Sequence, residues 1–409
     1  METVISPTPL SFEQLTDAVA HAAAIRIVTN LEPIGGPGDK IFPPTYEGGE
    51  YAEELRRVGD REVKTVLLDS VASQANRMEL ALLAAYERQE IAIPLVVADF
   101  TPWFPSVGRV TALEAPHRVY DAIFRDGLLD GVRFRETPVG KPLYGASITN
   151  ATPLLQLCPT VLIWGGWDST SLKPGYLGPK FERALSSEIV GFNAVAGQKT
   201  SSRIDPLQIE SAATVYRAAD GWWTADETRA ERNEKNEPLL YGKTSEKSKG
   251  RPSLIVHGNV TPTIEDGGYT ISHAVQTTVL SLIALRRLHF PLPTAKPNQA
   301  TDLAAQTLLA SLALCALSSQ RQQGYDLRSR CLLIPTASAQ FELIRADANQ
   351  VQRFSLHAAG AAALFERAAT NDAVKKLGWE PREIELTPSD DVLRLVRVSR
   401  ELGPAEDQQ

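Results

Sequence analysis

Apolar positions follow two rhythms along these 409 residues, and the switches between them mark the elements. Residues 22–33, "AAAIRIVTNLEP", are rich in β-branched side chains and read as a strand, followed by a Gly/Pro loop, "IGGPGDKIFPPTYEGG". A second strand is expected over 61–68 and a helix over 72–88. A third strand at 91–100 is closed by "TPWFP". Residues 115–129 read as a helix with Val119, Ile123 and Phe124 inward. "CPTVLIWGGW" and "SSEIVGFNAVA" read as two more strands. Long helices are expected at 269–288 and 301–320, strand character returns over 331–345, and "LHAAGAAALFERAAT" reads as a helix.

Strands and helices alternate imperfectly, with long insertions. This favours an α+β core of the split β-α-β type over a continuous parallel sheet. From 220 to 251 the chain turns charged, polar and poor in aliphatics, which predicts a mobile insertion. The tail, 401–409, is expected to fray.

Composition adds limits. The balance of 43% hydrophobic and 22% charged residues is that of a globular protein. The formal charge of -7 speaks against a uniformly basic nucleic-acid binder, but a single basic groove is compatible with it. Cys158, Cys315 and Cys331 are isolated, with no CxxC pair, which argues against a disulfide framework or structural zinc and for a cytoplasmic setting. The N-terminus lacks the basic and apolar regions of a signal peptide. The uncharged run 303–320 nearly reaches membrane-spanning length, yet its Ala, Ser and Gln content predicts a buried helix. No membrane association is expected.

The densest polar cluster lies where the second strand hands over to its helix, at Asp69, Ser70, Ser73, Gln74, Asn76 and Arg77. On a helix, Ser70, Ser73, Gln74 and Arg77 share one face, and Val71, Ala75, Met78 and Leu82 another. A helix start offers unpaired N–H groups and a partial positive charge. Hydroxyls, an amide and a forked cation beside it suit phosphate oxygens. A capped helix with a solvated polar face gives the same pattern, and both readings stand on the residues alone. Ser70 or Asp69 reads as the N-cap, which suffices to explain Asp69.

A second cluster, "AGQKTSSRIDPL", sets Thr200, Ser201 and Ser202 between Lys199 and Arg203, with Gly197 leaving room for close approach. The alternative is an ordinary polar turn. Arg26 and Lys40 are weaker anion-binding candidates, with Phe42 and Tyr46 near Lys40 as stacking groups or core. No P-loop, no GxSxG elbow and no His pattern with metal-ligand spacing is present. A hydrolase using Asp69, Ser169 or Ser202 is the rival from another class. No cofactor is implied.

Four separated stretches, "LLDSVASQANRMELAL" (67–82), "GGPGDKIFPPTYEGGEY" (35–51), "GQKTSSRIDPL" (197–207) and "LSLIALRRLHFP" (280–291), resemble the backbone subunit of CRISPR effectors of subtype I-G, formerly I-U. This is the GSU0053-type, or Csb-one, family of the repeat-associated mysterious protein (RAMP) superfamily, in the "Cas-seven" role. The resemblance spans roughly residues 20 to 360. It implies one elaborated domain with an RRM-like, ferredoxin-like palm and inserted fingers and thumb, of which 220–251 is a candidate. The segment holding Ser73, Gln74, Asn76 and Arg77 is similar to one that grips guide-RNA phosphates in related subunits, and no cleavage is expected. The implied partners are the CRISPR RNA, target DNA through the guide, further copies of the chain in a helical filament and other effector subunits.

Overall fold

The computed structural model describes residues 8–168, 178–242, 249–292, 298–345 and 351–402. Contacts divide the chain into two compact units, one of residues 1–39, 43–194 and 271–409, the other of 40–42 and 195–270.

The first unit is built on six elements: strand β1 (Ala22–Pro33), helix α1 (Val71–Glu87), strands β2 (Leu185–Phe192) and β3 (His273–Ser281), helix α2 (Gln299–Gln323) and strand β4 (Gln340–Arg345). Their spatial order is β4-β1-β3-β2, all neighbours antiparallel. This is the split β-α-β, ferredoxin-like arrangement, and the α+β class expected from the sequence is the one observed. The sheet extends past β2 through Arg61–Asp69 and Glu53–Val58, and also pairs β1 with Cys331–Pro335.

Alternation explains which face is covered. In β1, Ile25, Ile27, Thr29 and Leu31 are buried under the helices, while Arg26 and Asn30 point the other way. Helix α1 presents Ala75, Met78, Leu82 and Ala85 to this core. Helix α2 is enclosed around most of its girth, with Leu308, Leu309, Leu312, Leu314 and Leu317 buried. It has the length and apolarity to cross a membrane, but 83% of its apolar window lies inside the protein. Leu95–Asp99 sits in a separate five-stranded sheet beside Glu383–Pro388.

Three sequence expectations are corrected. Residues 269–288 are not one helix: they are the end of strand Val260–Thr270, then β3, then the short helix Leu282–Arg286. "CPTVLIWGGW" holds a helix, Thr160–Trp164, whose five residues are all buried, and only Gly166–Trp167 is extended. Residues 115–129 break into a 3-10 turn (Arg118–Tyr120), the helix Ala122–Arg125 and the strand Gly127–Leu129. Val119 and Phe124 are nevertheless fully buried there, as expected, while Ile123 is half-buried.

The second unit is dominated by an antiparallel hairpin of Val195–Arg203 and Val260–Thr270. The described part of 220–251 carries short elements, among them Trp223–Thr224 and Glu227–Arg229. Residues 243–248 and the tail from 403 lie outside the described residues, as does Ser169.

Candidate nucleic-acid interface

Asp69 ends the Arg61–Asp69 strand and has no exposed surface. It is not the helix cap. Ser70 caps α1, accepting from the Ser73 amide at 3.2 Å. The Asp69 carboxylate instead gathers four donors. Ser73 Oγ donates to Oδ1 at 2.8 Å, Gln74 Nε2 to Oδ2 at 2.6 Å and Arg77 Nε to Oδ2 at 3.0 Å. Arg328 Nη2 lies 3.5 Å from Oδ1. A buried carboxylate needs this many partners, because desolvation of a bare charge costs several kcal/mol.

Two guanidinium groups are thereby fixed side by side. Arg77 Nη2 also donates to the Leu327 carbonyl at 2.6 Å, and Arg328 Nη1 to the Leu68 carbonyl at 2.8 Å. Each side chain is 28% exposed. Two cations stand against one carboxylate, so the net local charge is positive beside the N-terminus of a 17-residue helix. Asn76 is exposed on the same helix. Rigid, pre-ordered donors of this kind lose little entropy on meeting a phosphate.

Gln74 is corrected. It was expected among the RNA contacts, but it is wholly enclosed. Its carbonyl accepts from Gln276 Nε2 at 2.8 Å and Ser187 Oγ at 3.1 Å while its amide holds Asp69. Its role is to position Asp69. The network continues inward: Tyr325 Oη donates to Gln276 Oε1 at 2.9 Å, and Arg321 Nη1 to Tyr325 Oη at 3.0 Å. One turn further along α1, Glu79 and Arg118 form a buried two-pronged pair, with Nε to Oε1 at 2.7 Å and Nη2 to Oε2 at 2.6 Å. Burial pushes the Glu79 carboxyl up to about 6, against the opposing pull of Arg118.

The 199–203 cluster is a strand rather than a turn, and this divides it. Lys199 and Ser201 stand opposite Glu265 and Thr263, while Thr200, opposite Ile264, alternates to the other face. Register slips between Ser201 and Arg203, so Ser202 sits at an irregularity. The expected single knot of three hydroxyls is therefore not formed. Lys199 Nζ lies 3.4 Å from Glu265, both half-exposed, and Ser201 Oγ is 2.9 Å from Thr263 Oγ1. Arg203 lies 3.7 Å from the buried Asp205. Amide donors, Gly258 first, then Leu207 and Ile209, hold the Asp205 carboxyl below the usual carboxylate range.

Lys40 belongs to this second unit, and its ammonium donates to the Gln198 carbonyl. A Cβ on Gly197 would meet the Lys40 stem at 2.8 Å, so the glycine makes room for that lysine. Arg26, on the face of β1 away from the helices, is paired with Glu342 at 2.6 Å across to β4. Ser70, Ser73 and Arg77 are thus brought together, with Asn76 on the same helix. Lys40, Lys199, Thr200, Ser201, Ser202 and Arg203 fall in the other unit. Arg328, 251 residues beyond Arg77, is the member of the cluster that the sequence did not reveal. Among the described residues no group of His, Cys, Asp or Glu has a metal-holding arrangement.

Residues 25–196 match the family described as CRISPR-associated protein GSU0053. This stretch is therefore similar to a CRISPR-associated family, and the resemblance seen in the sequence holds over it. It contains most of β1, the Asp69, Ser73, Gln74 and Arg77 part of the cluster but not Arg328, and all of α1 and β2, and ends as the hairpin begins. Among solved structures, the chain is similar to Csc2 of Thermofilum pendens, at 12% identity over 93% of this chain and 84% of that one, with a TM-score of 0.27, a likeness too slight to bear on fold or function. No curated protein matches it.

Proposed function

We propose that this protein is a non-enzymatic, guide-RNA-binding backbone subunit of a CRISPR effector complex, acting in the cytoplasm. The observation that carries the reading is the pair of guanidinium groups, Arg77 and Arg328, locked on buried Asp69 at the start of a long helix inside the CRISPR-associated segment. Arg77 and Arg328 bind phosphate oxygens through their outward edges, with Ser70 and Asn76 beside them as neutral donors. Ser73 and Gln74 hold the geometry from behind. Lys199, Arg203 and the hairpin hydroxyls supply further backbone contacts that carry no sequence information.

Recognition of target DNA is then left to base pairing by the guide, as in other RNA-guided effectors. One subunit neutralises few phosphates, so tight retention comes from many linked copies along one RNA, alongside other effector subunits. The acidic total charge suits such a part, since only the groove has to be basic.

The test is co-purification with CRISPR RNA from cells expressing the array. Arg77→Ala with Lys199→Ala should lose most of the RNA while thermal unfolding still shows a folded protein. Wild-type RNA content in that double variant would refute the phosphate assignment.

A further inference from the structure

The helix Asp390–Leu402 has two apolar faces, and the first unit uses only one of them. Leu393 is buried, Val392 and Val396 pack on the core, and the Arg400 guanidinium lies 4.6 Å from the centre of the Phe104 ring. On the opposite side Leu395, Val398 and Leu402 are 69%, 42% and 80% exposed. Their spacing of i, i+3, i+7 is that of a coiled-coil seam, with Leu395 and Leu402 at the a positions and Val398 at d. Leu393 and Arg400 then fall at f, directly opposite the seam. The residues that follow, "GPAEDQQ", hold no large apolar side chain with which to cover it.

The flanking charges indicate which helix fits. The g positions hold Arg394 and Glu401, both exposed, and among the described residues neither has an ion pair. The e position between them holds the neutral Ser399. In an antiparallel pair of helices a faces d and g faces g. A second copy of this seam therefore sets Leu395 on Val398 and Arg394 on Glu401, each contact made twice by symmetry. A parallel pair would set g against e and leave Arg394 facing Ser399. The antiparallel register also brings the partner's Leu402 beside residue 391. There Asp391, Val392 and Leu395 line a cavity of about 460 Å³ that can receive it, whose other walls are Ser389 and charged residues between 125 and 136.

We infer that this seam pairs two copies of the chain, helix against antiparallel helix. The face of one 13-residue helix falls short of the roughly 1,200 Å² that a stable interface buries, so the pair is weak and forms at high protein concentration. The contact is isologous: it closes on itself and cannot extend a filament. It is therefore distinct from the assembly along RNA proposed above, and none of its residues belongs to either phosphate cluster.

The experiment is sedimentation equilibrium of the full, nuclease-treated chain over rising concentration. The mass should climb from one chain's 44.6 kDa towards twice that value and no further. Leu395→Asp, at a solvent-facing position, should stay monomeric. Arg394→Glu and Glu401→Arg should each weaken pairing by about tenfold, since two attractions become two repulsions. An equimolar mixture of those two variants should pair like the wild type, because every glutamate then faces an arginine again. Arg77→Ala should pair normally, so a failure here is distinguishable from a failure of RNA binding. A wild type that is monomeric throughout would leave the seam to another protein and overturn the inference. So would growth beyond two chains, dimers unaffected by Leu395→Asp, or a mixture that pairs no better than its components.

Discussion

The start of α1 and the hairpin of the second unit carry the same residue types in opposite states. At the helix, Arg77 and Arg328 are tied to a buried carboxylate and to backbone carbonyls. At the hairpin, Lys199 rests against a half-exposed glutamate across the strands. One cluster has been made rigid at the expense of buried charge, and the other keeps its side-chain freedom. The helix start therefore presents cations of fixed geometry, while the hairpin offers adaptable charge.

The comparison breaks most visibly at Asp69. Asp69→Ala strands two arginines and a buried glutamine amide, and should cost about 3–5 kcal/mol in chemical denaturation, whereas Lys199→Ala should be close to neutral. A small loss at Asp69 would mean that the cluster is not the anchor described. Next in size, Arg328→Ala should weaken RNA binding by about 2 kcal/mol and flatten the salt dependence by about 0.7 in log–log slope, one phosphate's worth on a single strand. An unchanged slope would remove Arg328 from the interface.

A comparable effect concerns pH. Glu79 is less acidic in the folded chain, at about 6, than in the unfolded one, so folding favours its protonated form. Its contribution is full below about pH 4.5 and lost as pH rises through about 6, by about 2 kcal/mol in total. The stability of the wild type relative to Glu79→Gln should therefore grow by that amount between pH 7 and pH 4.5, measured by urea denaturation. A flat difference would show that Arg118 cancels the burial effect. The smallest effect is at the hairpin. Glu265→Ala should shift stability by less than about 0.5 kcal/mol, yet raise RNA affinity at low salt by releasing Lys199. Unaltered affinity would place Lys199 away from RNA.

Much of the core was legible because its signals are local. β1 alternates, α1 has an apolar stripe and a Ser cap, and "SSEIVGF" is β-branched between turns. β3 misled because its buried positions include Gln276 and Thr278, which face the polar network and hide the period of two. "TVLIW" is buried on all sides, and a short, wholly apolar run has no period to read. At the site, the cations and hydroxyls were visible as types. Their division between inside and outside was not, because Gln74 is claimed by Gln276 and Ser187, and Asp69 by Arg328, all far away along the chain.

The central place of β1 has a consequence for synthesis. Every strand that pairs with it, β3, β4 and Cys331–Pro335, lies at least 240 residues downstream. A nascent chain therefore emerges with both edges of its central strand unsatisfied, and with Arg77 waiting for the Leu327 carbonyl and Arg328. A half-made subunit therefore lacks the assembled arginine pair, and translation must run nearly to its end before the cluster around Asp69 is complete.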